Sequence, residues 1–300
     1  IGVKTVGLIY SRLKLLLDAK ESGSDFTTTA MIGRQKLSLS KTENKKIEAV
    51  YGLNIEKDSF NFDKRDYADI FIKKYLDIKE LKIFDYSDYE GADIVVDLNY
   101  PVQKSLHSNF DALIDGGSIE HIFNFPIAIK NYMNLLKVNG NIFIFSNANN
   151  HCGHGFYQFS PELFFSVFNE INGFEIKSVI LVEHPFPGAE LSEKQICYSV
   201  NNPIEIGRRT VIVNKSPLGI MVHATKIKEV KIFEKPPLQS DYLNLWSLNK
   251  GNGLKNSNLK IRFRSLIKFL PNKLMNKIRG IRQLHKYSLQ NDKEFYKRWE

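Results

Sequence analysis

The densest set of chemically capable side chains lies in the stretch NANNHCGHGFYQFSPE. Asn147, Asn149, Asn150, His151, His154, Tyr157 and Gln158 fall within twelve residues. Histidine gains and loses a proton near neutral pH and so suits general acid–base work. Gly153 and Gly155 flank His154 and keep its ring clear of bulky neighbours, which makes it the first candidate base. His151 is the second candidate, and Tyr157 adds a hydroxyl to the same segment. The plainer reading of each is a hydrogen-bonded loop residue. His151 and His154 are three apart with Cys152 between them, but the HExxH pattern is absent and Cys197 has no ligand near it in sequence. No metal is expected on that basis, and no nucleophile motif surrounds Cys152.

A second set is acidic. Asp85, Asp97 and Asp115 close the apolar runs ELKIFDYS, ADIVVDLN and FDALIDGG. A carboxylate at such a place is costly to desolvate unless it binds something or caps a turn, and turn-capping is the plain alternative because Asp favours turns. Gly116 and Gly117 follow Asp115 directly, with Glu120 and His121 three and four residues on. A glycine pair lets the chain turn sharply and approach a ligand closely.

These residues need elements to hold them. TVGLIYSRLKLLLDAK reads as a strand or helix, with its second half favouring helix, and TTTAMIGRQ as a strand closing on Gly33. KTENKKIEAVYGL and DYADIFIKKYLDI read as helices, the first ending near Gly52. The three Asp-ended runs are strands, FPIAIKNYMNLLKVNG is a helix stopped at Gly140, and NIFIFSNANN is a strand entering a polar loop. Ser160 as N-cap and Pro161 at the first helical position open SPELFFSVFNEING, which ends at Gly173. FEIKSVILVEH and RRTVIVNKS follow as strands. Short apolar strands alternating with helices imply an α/β fold with a mostly parallel sheet covered on both faces. Ligands then bind beyond the carboxyl ends of the strands.

Three hundred residues can bury a substantial core, and 43% apolar with 25% charged residues is ordinary for a globular chain. Two cysteines exclude a disulfide framework and fit a reducing, cytoplasmic setting. Lys4, Arg12 and Lys14 interrupt the opening apolar run, which argues against a signal peptide. The net charge of +9 is concentrated: Lys255 to Glu300 holds thirteen Lys or Arg against three Asp or Glu, leaving residues 1–254 at −1. A neutral body, with no stacking platform beside the charge, argues against nucleic acid as partner. We therefore expect an α/β domain over residues 1–250 and a basic amphipathic helical extension over 251–300, broken by Pro271. That extension could pack on the body or make peripheral contact with an anionic membrane or a partner protein.

From ADIVVDLN through FDALIDGGSIEHIFNFPIAIKNYMNLLKVNGNIFIFSNANNHCGHGFYQFSPELFFSVF, the chain resembles the class I S-adenosylmethionine-dependent methyltransferases. In particular it resembles a bacterial branch found among proteins of capsule and lipopolysaccharide biosynthesis. The resemblance spans roughly residues 27–185, and GHGFYQFSPELFF is its most specific part. It implies a Rossmann-like sheet covered by helices, and S-adenosylmethionine as cofactor. By position, Gly33 and Arg34 follow the first strand, with Gly33 near the methionine part. Asp85 would accept from the ribose hydroxyls, with Tyr86 beside it as a further cofactor contact, and Asp97 with Leu98 would lie near the adenine. Asp115, Gly116 and Gly117 would line the methionine pocket, closed by Glu120 and His121. His154, Tyr157 and Gln158 would face the acceptor, with Arg34 free to meet an acidic group. The chain departs from the family pattern at GRQKLSLS, which keeps a single glycine, and at Asn139, which stands where a glycine pair begins.

The expected activity is O-methylation of a sugar or other surface-polysaccharide precursor. One variant acts on a phosphate- or phosphoramidate-type capsule group. A different class is a non-catalytic methyltransferase-like partner in glycan assembly, which the sparse glycine loop motivates. A nicotinamide-dependent oxidoreductase is disfavoured by the missing GxGxxG.

Overall fold

The computed structural model describes residues 7–55, 67–185, 194–239 and 272–300. Strand β1 (Thr28–Ile32) forms where TTAMI supplies β-branched and apolar side chains. Alternation sends Ala30 and Ile32 to one face and Met31 to the other. Ahead of it runs helix α1 (Tyr10–Glu21), so the ambiguous opening segment is helical. After it comes α2 (Lys41–Tyr51), begun by a capping box between Ser40 and Glu43 and ended by Gly52 at φ 66°. Next are α3 (Asp69–Tyr75), β2 (Glu80–Asp85), β3 (Ile94–Val95), β4 (Phe110–Asp115), α4 (Phe125–Leu135) and β5 (Leu136–Asn149). The chain continues as α5 (Pro161–Val167), β6 (Phe174–Glu183), β7 (Ile196–Val200), α6 (Pro203–Ile206), β8 (Leu218–Lys226), α7 (Asn272–Lys286) and β9 (Tyr296–Arg298).

The described strands form one sheet in the order β3-β2-β1-β4-β5-β8-β6-β7-β9. The first five are parallel. β8 runs antiparallel between β5 and β6, and β7 and β9 extend the sheet in antiparallel steps. This is the Rossmann-like α/β sheet of the class I methyltransferase fold, with its reversed strand between the fifth and sixth. Leu13, Leu16, Ile47, Phe71 and Ile72 from α1, α2 and α3 bury one face. Ile129, Tyr132, Phe164 and Phe165 from α4 and α5 bury the other. Chain order runs outward from β1 in one direction and from β4 in the other, so the switch point lies between their carboxyl ends.

Several boundaries differ from the sequence reading. β3 has two residues, so Asp97 lies in the turn beyond it. The helix expected to reach Gly140 stops at Leu135, because Leu136 already pairs with Phe110. Asn139 at φ 69° and Gly140 then lie inside β5, where the register against β4 shifts. RRTVIVNKS forms no strand: β9 takes the outer edge of β7, and tertiary pairing overrides the β preference of Val211 to Val213. β9 also makes the chain end part of the sheet, with Phe295 and Tyr296 fully buried. The expected boundary at 250 and the first part of the basic tail lie outside the described residues.

Candidate active site

Three loops meet at the switch point. The loop after β1 turns at Gly33 (φ 65°), whose amide donates to the Phe84 carbonyl at 2.8 Å and ties β1 to β2. Gln35 folds back from it. Its Nε2 donates to the Gly33 carbonyl at 2.9 Å, and a Cβ placed on Gly116 would collide with its amide group. Gln35 therefore lies flat across the carboxyl ends of β1 and β4. Arg12 reaches the same place from α1 and donates from Nη1 to the Gly116 carbonyl at 2.9 Å. Ser118 closes the corner by donating to the Ile32 carbonyl at 3.1 Å.

Asp85, half-buried at the end of β2, accepts from the Tyr86 amide at 2.6 Å, and the Tyr86 ring is exposed. Asp97 accepts from the Asn99 amide and side chain at 2.9 and 2.7 Å, forming an Asx turn, and Leu98 is buried under it. Arg34 leaves the switch point. It donates to the Asp69 carboxylate at 2.9 and 2.6 Å, lies over the Tyr67 ring, and fixes the Glu90 carbonyl. Asp115 is fully buried and accepts from the amides of Gly117, Ser118 and Ile119 and from the Tyr132 hydroxyl. Burial and the neighbouring Glu120 push its carboxyl up to about 7, against the Ser118 and Gly117 amides and the Tyr132 hydroxyl. Asp115 thus caps the turn that carries Glu120 and His121.

The polar loop after β5 lies back on that turn. The Phe156 amide donates to the Glu120 carbonyl at 2.7 Å, and Gly155 (φ 72°) packs where a Cβ would come within 2.9 Å of Glu120 Cγ. His154 is thereby brought beside Glu120, with Nε2 at 3.7 Å from Oε1, and against His121 at 5.1 Å between ring centroids. The Glu120 side chain is 3% exposed and that of His154 41%. Burial raises the Glu120 carboxyl, opposed by the Ser146 hydroxyl donating to Oε2 at 2.8 Å and by Arg12. His121 is lowered, first by burial and then by His154. Tyr157 donates to the Phe123 carbonyl at 2.6 Å, and Gln158 accepts from the His151 amide at 2.8 Å. Both therefore brace the loop. The His151 ring turns to His184, 6.1 Å between centroids. Phe123 and Phe156, 72% and 68% exposed, form an edge-to-face pair beside the two histidines.

No family model matches this chain, and no curated protein does. Among solved structures it is similar to a candidate methyltransferase of Bacillus halodurans at 11% identity, covering 71% of this chain and 99% of that one, with a TM-score of 0.38. It is also similar to a SAM-dependent methyltransferase of Aquifex aeolicus at 11% identity, covering 71% and 88%, with a TM-score of 0.35. A third is the branched-chain polyamine synthase of Thermus thermophilus in complex with N4-aminopropylspermidine and 5'-methylthioadenosine, at 12% identity, 77% and 60% coverage and a TM-score of 0.35. At such scores the likenesses carry no argument; the fold rests on the strand order and register.

Of the residues singled out in the sequence, Gly33, Gly116, Gly117, Glu120, His121 and His154 gather around the β1–β4 edge. Asp85 and Tyr86 stand at the neighbouring strand end. Arg34, Asp115, His151, Tyr157 and Gln158 hold the scaffold instead. Arg12, Gln35 and Ser146 escaped the sequence reading. Arg12 looks like an ordinary helix cation, Gln35 stands in a loop with no glycine motif, and Ser146 falls at the end of an apolar run just before the polar cluster. A half-exposed imidazole facing a buried carboxylate can take a proton from a hydroxyl, while the carboxylate stabilises the resulting imidazolium.

Proposed function

We propose that the protein is an S-adenosylmethionine-dependent O-methyltransferase acting on a hydroxyl of a sugar or other surface-polysaccharide precursor. The observation that carries this reading is the Glu120–His154 pair, standing at the switch point of a class I methyltransferase sheet with the exposed Phe123–Phe156 pair beside it. An exposed aromatic edge suits the apolar face of a sugar ring.

The cofactor fits in part as the residues stand. Asp85, with one hydrogen bond from its neighbour's amide, would accept from the ribose hydroxyls, and Tyr86 would border the adenine. Arg12 and the backbone of Gly33 and Gly116 would hold the methionine end, once Gln35 rotates off Gly116. When bound, the cofactor supplies a methyl group already activated on a sulfonium. The chain's own task is to align an acceptor oxygen with it and remove the proton. His154 Nε2 would take that proton, with Glu120 stabilising the charge and the aromatic pair orienting the ring.

The phosphate-type variant draws less support, since Arg34 is engaged by Asp69. A second reading, a non-catalytic partner in glycan assembly, is favoured by Gln35 lying where the methionine would go. Peripheral contact with an anionic membrane, at the cytoplasmic face, is favoured by the cations and exposed Leu274, Ile281 and Leu284 of α7. No described helix is long and apolar enough to cross a membrane. Labelled-methyl transfer to fractionated cell-surface precursors tests the activity. His154→Ala should lower turnover about 10²- to 10⁴-fold, whereas unchanged turnover in this variant would remove the base.

A further inference from the structure

We propose that Glu120, His121 and His154 form a binding site for one first-row divalent transition-metal ion. One carboxylate oxygen and one ring nitrogen from each histidine all lie within 4.8 Å of one another. Two imidazoles with one carboxylate are the donor set that zinc and its neighbours prefer, and three protein ligands leave a coordination position for solvent or a ligand. Metal–ligand distances of about 2.0–2.1 Å place ligand atoms about 3.4 Å apart in a tetrahedron. The site therefore needs to contract by little more than an ångström.

The surroundings allow that contraction. Glu120 is the fixed member: the Ser146 hydroxyl holds Oε2, which leaves Oε1 turned towards His154. Two glycines leave space around it. A Cβ on Gly117 would come within 3.1 Å of Glu120 Oε1, and one on Gly155 within 2.9 Å of its Cγ. His121 is exposed and His154 half-exposed, so both rings can turn inward from the solvent side. The trio is also distinct from the His151–Cys152–His154 spacing seen in sequence, since His151 faces His184 and Cys152 is exposed. The 119–123 turn and the loop after β5 assemble the trio only in the folded chain.

A metal held by His154 Nε2, the nitrogen that faces Glu120, would occupy the atom that takes the acceptor proton. Metal binding and base catalysis then exclude each other, a consequence that rests on the transfer reading above, while the site itself does not. The test is calorimetric titration of the chelator-treated full chain with ZnCl₂, together with Co²⁺ absorption spectra. One ion per chain is expected. His121→Ala and His154→Ala should each weaken binding about tenfold or more, since even outer-shell partners matter that much, and should abolish the visible Co²⁺ bands. Cys152→Ser should bind as the unaltered chain does. Because His121 is exposed, its variant reads the site without disturbing the core. Absent Zn²⁺ binding, binding unaffected by the His121 and His154 variants, or binding lost with Cys152→Ser would each overturn the site. Failure of the transfer reading shows separately, as absent labelled product with the Zn²⁺ titration intact.

Discussion

His223 shows how far a single side chain's environment departs from its type. Its ring stacks on Phe143 at 4.4 Å between centroids, and Nε2 meets Asn141 Oδ1 at 3.0 Å. Burial, with Lys177 adding to it, lowers its pKa to about 4 from 6.5. The folded state therefore favours the neutral ring, and this contribution is full above the unfolded value and is lost as pH falls from 6.5 towards 4. His223→Phe removes that dependence. From pH 7 to pH 5 the variant should gain about 2 kcal/mol relative to the unaltered chain, read by denaturant unfolding at each pH; a constant difference would contradict the burial argument. The same scale decides which site residues were legible. Residue type and loop density marked His154 and Glu120. What type could not mark is direction: Asp115 and Asp97 are carboxylates spent on backbone amides, and Arg34 is spent on Asp69. Arg12 is the converse, a cation whose meaning depends on α1 packing beside β4.

Among the elements, the loop after β1 carries most of the functional weight. The sequence has one glycine there, and the structure gives the physical complement: Gln35 covers Gly116 and is held by the Gly33 carbonyl, with a longer bond to Ile32 at 3.3 Å. Opening it forfeits two hydrogen bonds, each about 1 kcal/mol. Gln35→Ala should then bind S-adenosylhomocysteine about thirtyfold more tightly, measured by calorimetry, and weaker binding would make Gln35 a ligand instead of a cover. Strands with strong apolar patterning, β1, β2, β4 and β6, were legible to within a residue or two. The failures fall where pairing partners decide. Leu136 leaves the helix because β4 claims it, and Val211 to Val213 form no strand because β9 claims the edge of β7.

At the scale of the whole molecule, the charge asymmetry gains a place. α7 carries Lys277, Arg279, Arg282 and Lys286 together with exposed Leu274, Ile281 and Leu284, and β9 follows it in the chain from Tyr296. Each basic residue near an anionic leaflet contributes about 1 kcal/mol. The chain should co-sediment with phosphatidylserine-containing vesicles and be released by salt or by Lys277→Glu with Arg282→Glu. Equal binding to neutral vesicles, or none to anionic ones, would contradict a surface role for α7. Sequence composition located this charge, but β9 joining the core sheet through Phe295 and Tyr296 depends on contacts nearly a hundred residues apart, which no local pattern carries.

The central claim is that the β1–β4 switch point holds S-adenosylmethionine, and calorimetric titration of the full chain with that cofactor tests it most directly. The account predicts one site per chain, weakened about tenfold or more in Asp85→Ala, which removes the carboxylate proposed to accept from the ribose. Absence of binding in the unaltered chain and in Gln35→Ala alike, with acceptor fractions present, would contradict it.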